Sequence, residues 1–237
     1  MTVDLSGKTA LVTGASRGIG AEVAKGFAKV GAHVILLART QGGLEEVDDA
    51  IKAEGGSATL IPMNLRKLTE VDKLGPSILE RFGGLDIFIG HAGILGTLTP
   101  AHQVDPKDWE KVMVTNFAAN ARLLRTLDPL LRAADAGRVV FTTASGDYTA
   151  NGMAYWAAYM ASKAALNCLA KTYALETRRT NMKVNLLYPG PVDTAMLREA
   201  FPGEIKFKTK QPEELVEHYL GLVSNDCDKH GELVAVK

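Results

Sequence analysis

The chain has 237 residues, 46% hydrophobic and 23% charged, with 27 basic and 27 acidic side chains and a formal net charge of zero. That length suits one α/β domain with its own core, and the balanced charge points to no nucleic acid or other polyanion as partner. Nowhere do about 18 uncharged apolar residues run together, and the N-terminal stretch MTVDLSGKTALVTGASRG has no basic segment leading an apolar run, so neither a membrane span nor secretion is expected. Cys168 and Cys227 sit in no C-x-x-C or Cys/His cluster, which fits a reducing cytoplasm and no bound metal.

Residues 8–13, KTALVT, form a short apolar run ending at Gly14. Ile19, Val23, Phe27 and Val30 then recur at helical spacing before Gly31. The alternation continues with a strand at 32–38, a helix at 43–54 closed by Gly55 and Gly56, a strand at 57–61, a helix at 68–82 and a strand at 85–89. A long helix at 106–133, a strand at 138–143, a helix at 159–178, a strand at 183–188, a helix at 212–223 and the strand ELVAV complete the chain. Seven strands and six helices in strict succession, with no linker, repeat or low-complexity tract, predict one domain spanning residues 1–237. The strands are apolar throughout, as strands covered by helices on both faces must be. The expected fold is therefore α/β, a doubly wound parallel sheet of the Rossmann type. Its functional residues should follow the carboxyl ends of the strands, near the point where strand order reverses.

After the first strand comes TGASRGIG, residues 13–20, with Gly14, Gly18 and Gly20 in the spacing G-x-x-x-G-x-G and Ser16, Arg17 and Ile19 between them. Glycines there allow positive φ and close approach of a diphosphate, and the N–H groups opening the next helix provide donors. Alone the three glycines fit any tight turn; between a strand and a helix they predict nucleotide binding. The second strand ends in Ala38 and Arg39 rather than in an acid, so no carboxylate repels a ribose 2′-phosphate, and Arg17 is a second nearby cation. That selects NADP(H), with NAD(H) as the alternative.

Tyr159 and Lys163, in YMASK, lie four residues apart and share one helix face. A free phenol with a pKa of about 10 exchanges its proton poorly near neutrality, and an adjacent cation lowers it. Such a Tyr can protonate a carbonyl oxygen or deprotonate an alcohol. An isolated Y-x-x-x-K also arises by chance, so its weight comes from the rest of the chain.

With TGASRGIG at 13–20, HAG at 91–93, Asn116 in VTNFAAN, TTASG after the fifth strand, YMASK at 159–163 and YPGPVDT at 188–194, the chain resembles the short-chain dehydrogenase/reductase family over essentially its whole length. The resemblance implies a nicotinamide cofactor and a tetrad of Asn116, Ser145, Tyr159 and Lys163. In it Tyr159 is the acid/base and Lys163 lowers its pKa and holds the ribose, while Ser145 orients the substrate oxygen and Asn116 anchors a water leading protons to Lys163. It assigns Asn64, Leu65, Ala92 and Gly93 to the cofactor, and Pro189, Gly190, Val192 and Thr194 to its nicotinamide half. It also implies a homodimer or homotetramer built on the helices at 106–133 and 159–178, and a small carbonyl or alcohol substrate.

Three departures stand out. Relatives carry N-N-A-G where this chain has Gly90, His91, Ala92 and Gly93, and His91 is read as a substitute hydrogen-bonding group. Asn64 stands where relatives often have Asp. Gly146 stands where the family serine commonly lies, thirteen residues before the Tyr, so Ser145 is assigned with Thr143 as the alternative. Tyr148, Met153, Tyr155 and Trp156, with Leu95, are candidate pocket walls, with core packing the favoured role for Trp156. The EEVDD run at 45–49 reads as a solvated helix face, and His33, His102, His218 and His230 have no partner at metal spacing. Residues 195–210 read as a substrate loop, partly apolar and partly basic, that orders over the substrate. The reading is an NADP(H)-dependent oxidoreductase interconverting a carbonyl and a secondary alcohol, against the alternative of a catalytically weak dinucleotide-binding sensor or assembly subunit.

Overall fold

The computed structural model describes residues 3–144, 153–203 and 205–237. Among the described residues seven strands form one sheet: β1 (Thr9–Thr13), β2 (His33–Ala38), β3 (Ser57–Pro62), β4 (Ile87–Gly90), β5 (Arg138–Thr142), β6 (Lys183–Tyr188) and β7 (Leu233–Ala235). Every pairing is parallel, in the order β3-β2-β1-β4-β5-β6-β7. The chain leaves β3 at one edge and returns to β4 on the far side of β1, so strand order reverses there and a crevice opens at the carboxyl ends of β1 and β4.

Alternate strand residues face opposite sides, and helices cover both. On one side Val12, Val34, Leu36 and Ile89 pack against α1 (Gly18–Lys29), α2 (Gln41–Ala53) and α9 (Val216–Val223). On the other, Leu11, Ile35, Phe88 and Phe141 pack against α4 (Leu74–Phe82), α6 (Ala119–Ala133) and α7 (Ala157–Thr177). Phe88 and Phe141 meet edge to face with centroids 5.6 Å apart. Each such buried side chain contributes about 1.5–3 kcal/mol of transfer free energy.

Several stretches differ from the sequence expectation. The stretch 68–82 is split into α3 (Leu68–Val71) and α4, because Thr126 of α6 reaches the junction. Its Oγ1 donates to the Asp72 carbonyl at 2.9 Å and accepts from the Gly75 N–H at 3.1 Å. The stretch 106–133 is α5 (Pro106–Met113) and α6 joined by a π-helical turn, Val114–Ala118, around Asn116. There the Asn120 side-chain amide donates to the Asn116 carbonyl at 2.9 Å, satisfying an acceptor at the break in the α ladder. The expected irregular loop at 195–210 contains α8 (Ala195–Ala200), opened by the Thr194 hydroxyl accepting from the Leu197 N–H at 3.3 Å. The EEVDD run is not wholly a wet face either: Asp48 is buried and paired with Lys52 at 2.7 Å, since helical spacing carries it to the inner edge of α2.

Candidate active site

The turn after β1 interlocks with the turn after β4. Gly14 has φ +72°, and a Cβ there would stand 3.0 Å from the Ala92 Cα and 3.2 Å from its nitrogen. A Cβ at Gly20 would stand 2.4 Å from the Gly14 carbonyl oxygen. Only glycine serves at either place. The Thr13 hydroxyl fixes the opposite side, accepting from the N–H groups of His91 and Ala92 at 3.0 and 3.1 Å. α1 then begins at Gly18 with no side-chain cap from Arg17 and no acid in its first turn, so its first N–H groups remain available to an anion.

A cleft of about 1010 Å³ starts at this turn and crosses the carboxyl edge of the sheet. Ser16, Arg17, Gly18 and Ile19 line its centre, whereas Gly20 lies buried beneath it. Pro189, Gly190, Val192 and Thr194 line the opposite wall, with a Thr194 methyl 3.5 Å from the place a Cβ on Gly18 would take. At one end stand Ala38, Arg39, Asn64 and Leu65, joined by Arg66, which the sequence reading missed although it directly follows that pair. Arg17, Arg39 and Arg66 are all exposed, and none forms an ion pair among the described residues. The Asn64 side-chain oxygen accepts from the Arg66 N–H at 3.1 Å, a local turn that leaves its amide group to meet a ligand. A glycine cradle that a Cβ would fill, an uncapped helix start and three unpaired guanidiniums together fit a dinucleotide carrying an extra phosphate.

At the other end lie Tyr159, Lys163, Ala92 and Gly93. Lys163 is 3% exposed, its ammonium donates to the Thr142 carbonyl at 2.8 Å, and it stands 5.8 Å from the centroid of the Tyr159 ring. Burial pulls its pKa down to about 8, so it is still protonated near neutrality. Asn116 is fully buried and does not line the cleft. Its side chain grips both backbone groups of Ile94, accepting from the N–H and donating to the carbonyl at 2.9 Å each, and donates to the Ser162 hydroxyl at 3.0 Å. Ser162 donates in turn to the Tyr159 carbonyl at 2.6 Å. Asn116 thus ties the loop after β4 to the helix bearing Tyr159 and Lys163, a link that Ser162, within YMASK itself, completes unnoticed in the sequence reading. Ser145 and Tyr148 lie outside the described residues. Thr143, the alternative to Ser145, lines the cleft, is 3% exposed and donates its hydroxyl to the Asn167 side-chain oxygen at 2.5 Å.

The pocket walls are partly those expected. Trp156 is half-buried and lines the cleft rather than the core, meeting Tyr159 edge to face at 5.7 Å and Phe201 at 6.1 Å. Phe207 packs on Phe201 at 5.2 Å, so the loop after β6 lies over the end of the cleft holding Tyr159. Met153 joins this wall. Leu95 points into the interior instead, and its neighbour Ile94 takes the wall position. Tyr155 is 59% exposed, with φ +74°, and borders a smaller hollow behind Trp156. His33 bonds to Ser57 and Thr59, and His230 bridges the Val184 N–H and the Ala174 carbonyl. No cluster of metal-ligating side chains occurs among the described residues.

Comparison with known proteins agrees with this geometry. The family model described as short chain dehydrogenase matches residues 8–205. The oxidoreductase YciK of Escherichia coli K12 is 36% identical over 225 residues, covering 94% of this chain and 88% of that protein. A short chain dehydrogenase from Shigella flexneri, crystallised with NADP, superposes with a TM-score of 0.92 at 35% identity, covering 99% of both chains. Another, from Escherichia coli CFT073 in complex with NADPH, gives the same TM-score and identity over 99% of this chain and 98% of that one.

Proposed function

The chain belongs to the short-chain dehydrogenase/reductase family of oxidoreductases, and on that footing we propose that it is a single-domain NADP(H)-dependent enzyme interconverting a small-molecule carbonyl and a secondary alcohol. The observation carrying this reading is the buried Lys163 ammonium beneath the Tyr159 ring, at the end of the cleft opposite Arg39 and Arg66. Arg17, Arg39 and Arg66 hold the 2′-phosphate, the turn at Gly14 and Gly18 holds the diphosphate, and Pro189 to Thr194 hold the nicotinamide half. When bound, the nicotinamide supplies or accepts the hydride.

In the reducing direction Tyr159 Oη delivers a proton to the substrate oxygen, and in the oxidising direction it removes one. The charge on Lys163 stabilises the phenolate left behind, and the Thr142 carbonyl fixes where that charge sits. Asn116 holds Ile94 and Gly93 in register with Tyr159. Ser145 is the proposed partner of the substrate oxygen. The apolar wall of Trp156, Phe201 and Phe207 excludes water, and the loop carrying the two phenylalanines is proposed to close over bound substrate. Among the described residues no helix is long and apolar enough to cross a membrane; a cytoplasmic homodimer or homotetramer is proposed, with Trp109 and the 66% exposed Leu175 presenting apolar surface on α5 and α7.

The test is turnover of a panel of ketones and secondary alcohols with NADPH and NADP, with NADH and NAD in parallel. Turnover with a lower KM for the phosphorylated cofactor supports the reading. Tight cofactor binding without turnover of any panel member favours a sensor or assembly role instead.

A further inference from the structure

A buried chain of three side chains runs from α9 to the floor of the cleft. The Tyr219 hydroxyl, fully buried, lies 2.6 Å from Thr142 Oγ1, and that oxygen lies 3.0 Å from His91 Nδ1. The direction of the two hydrogen bonds follows from counting protons. Tyr219 has one hydroxyl proton and, among the described residues, Thr142 as its one polar partner. A buried hydroxyl that fails to donate is costly, so Tyr219 donates to Thr142. The single Thr142 proton is then free to go only to His91 Nδ1, which must accept it. An imidazole that accepts at Nδ1 and is neutral carries its proton on Nε2.

Neutrality is enforced by the surroundings: burial, and secondarily the Lys163 charge, pull the His91 pKa down to about 3. The opposite edge of the ring lies under the glycine turn. His91 Cδ2, bonded to Nε2, is 3.3 Å from the place a Cβ on Gly14 would take and 2.9 Å from that on Gly20. His91 also lines the cleft, and Nε2 meets no acceptor among the described residues.

We propose that the chain Tyr219 to Thr142 to His91 holds His91 in its neutral Nε2–H form as a positioning residue, whose N–H donates to an oxygen of the dinucleotide lying across the glycine turn. The second half rests on the dinucleotide reading above; the first does not. An amide at this position in relatives can rotate to donate or accept, whereas a histidine needs its tautomer set, and Thr142 and Tyr219 set it.

The test is nitrogen NMR of protein labelled at its histidines, of which there are five, with His91→Asn used to assign the resonances. Free wild-type protein is expected to show a pyridine-type Nδ1 and a protonated, pyrrole-type Nε2 for His91. Adding NADP should move Nε2 more than Nδ1. Thr142→Val should abolish the tautomer preference and weaken NADPH binding about 2- to 10-fold, the range for one lost hydrogen bond, and Thr142→Ser should restore both. Tyr219→Phe, which leaves Thr142 in place, should weaken the preference in the same sense and serves if Thr142→Val does not fold. A protonated Nδ1 in the free wild-type protein, or a tautomer indifferent to both substitutions, overturns the proposal. A wild-type protein that binds no NADP overturns the dinucleotide reading and the donor role with it, while the free-state tautomer still decides the chain itself.

Discussion

Replacing Lys163 with methionine keeps the length of the side chain and removes its charge. Because burial lowers the folded-state pKa from 10.5 to about 8, the unfolded chain holds this proton between those values while the native protein has released it. Stability must therefore rise with pH across that window. The contribution is complete above the unfolded value and is lost as pH falls through the folded one. With those two pKa values, linkage gives a gain of about 2 kcal/mol between about pH 7 and about pH 9.5. Lys163→Met lacks this term, and subtracting its stability curve from that of the wild type cancels the other titrating groups. Urea denaturation of the cofactor-free proteins at several pH values measures the difference. The wild type should gain about 2 kcal/mol on the variant over that range. Parallel curves would refute the claim that Lys163 is held charged in a buried site at neutrality.

Other substitutions test other parts of the site. Gly20→Ala places a Cβ against the Gly14 carbonyl and His91; it should cost about 1–3 kcal/mol of stability and abolish NADPH binding by titration calorimetry. Asn116→Ala orphans both backbone groups of Ile94, so unfolding should cost about 3 kcal/mol less, and a loss under about 0.5 kcal/mol would show that the loop is held otherwise. Arg39→Ala and Arg66→Ala should each reduce the preference for NADPH over NADH about 10- to 100-fold, the range for a lost charge-assisted hydrogen bond. An unchanged ratio would remove that arginine from the phosphate site.

Much of this was legible because parallel α/β sheets write their connectivity into apolar runs and turn glycines. All seven strands lie within two residues of their expected bounds, and the cleft opens where strand order reverses. What the sequence hid was set by contacts between distant segments. No local signal in 68–82 foretells that Thr126, some fifty residues later, divides the helix. The π turn at Asn116 depends on Asn120 reaching back to its carbonyl, which a helical pattern conceals. Trp156 looks like a core residue by type and becomes a cleft wall because Phe201 meets it from another element. Leu95, expected on the pocket wall, turns inward and Ile94 stands there instead, because Asn116 fixes the Ile94 backbone. Arg66 was readable in principle, as a cation directly after Asn64 and Leu65, which were assigned to the cofactor.

The proton step at Tyr159 is the centre of the account, and Tyr159→Phe isolates it by removing one oxygen from a ring that otherwise keeps its packing on Trp156. Turnover of a ketone that the wild type reduces, followed through loss of the reduced nicotinamide absorbance, should fall about 10²- to 10⁴-fold, with NADPH affinity within about threefold of the wild type. Turnover within about tenfold of the wild type would contradict the assignment and require another group to supply the proton.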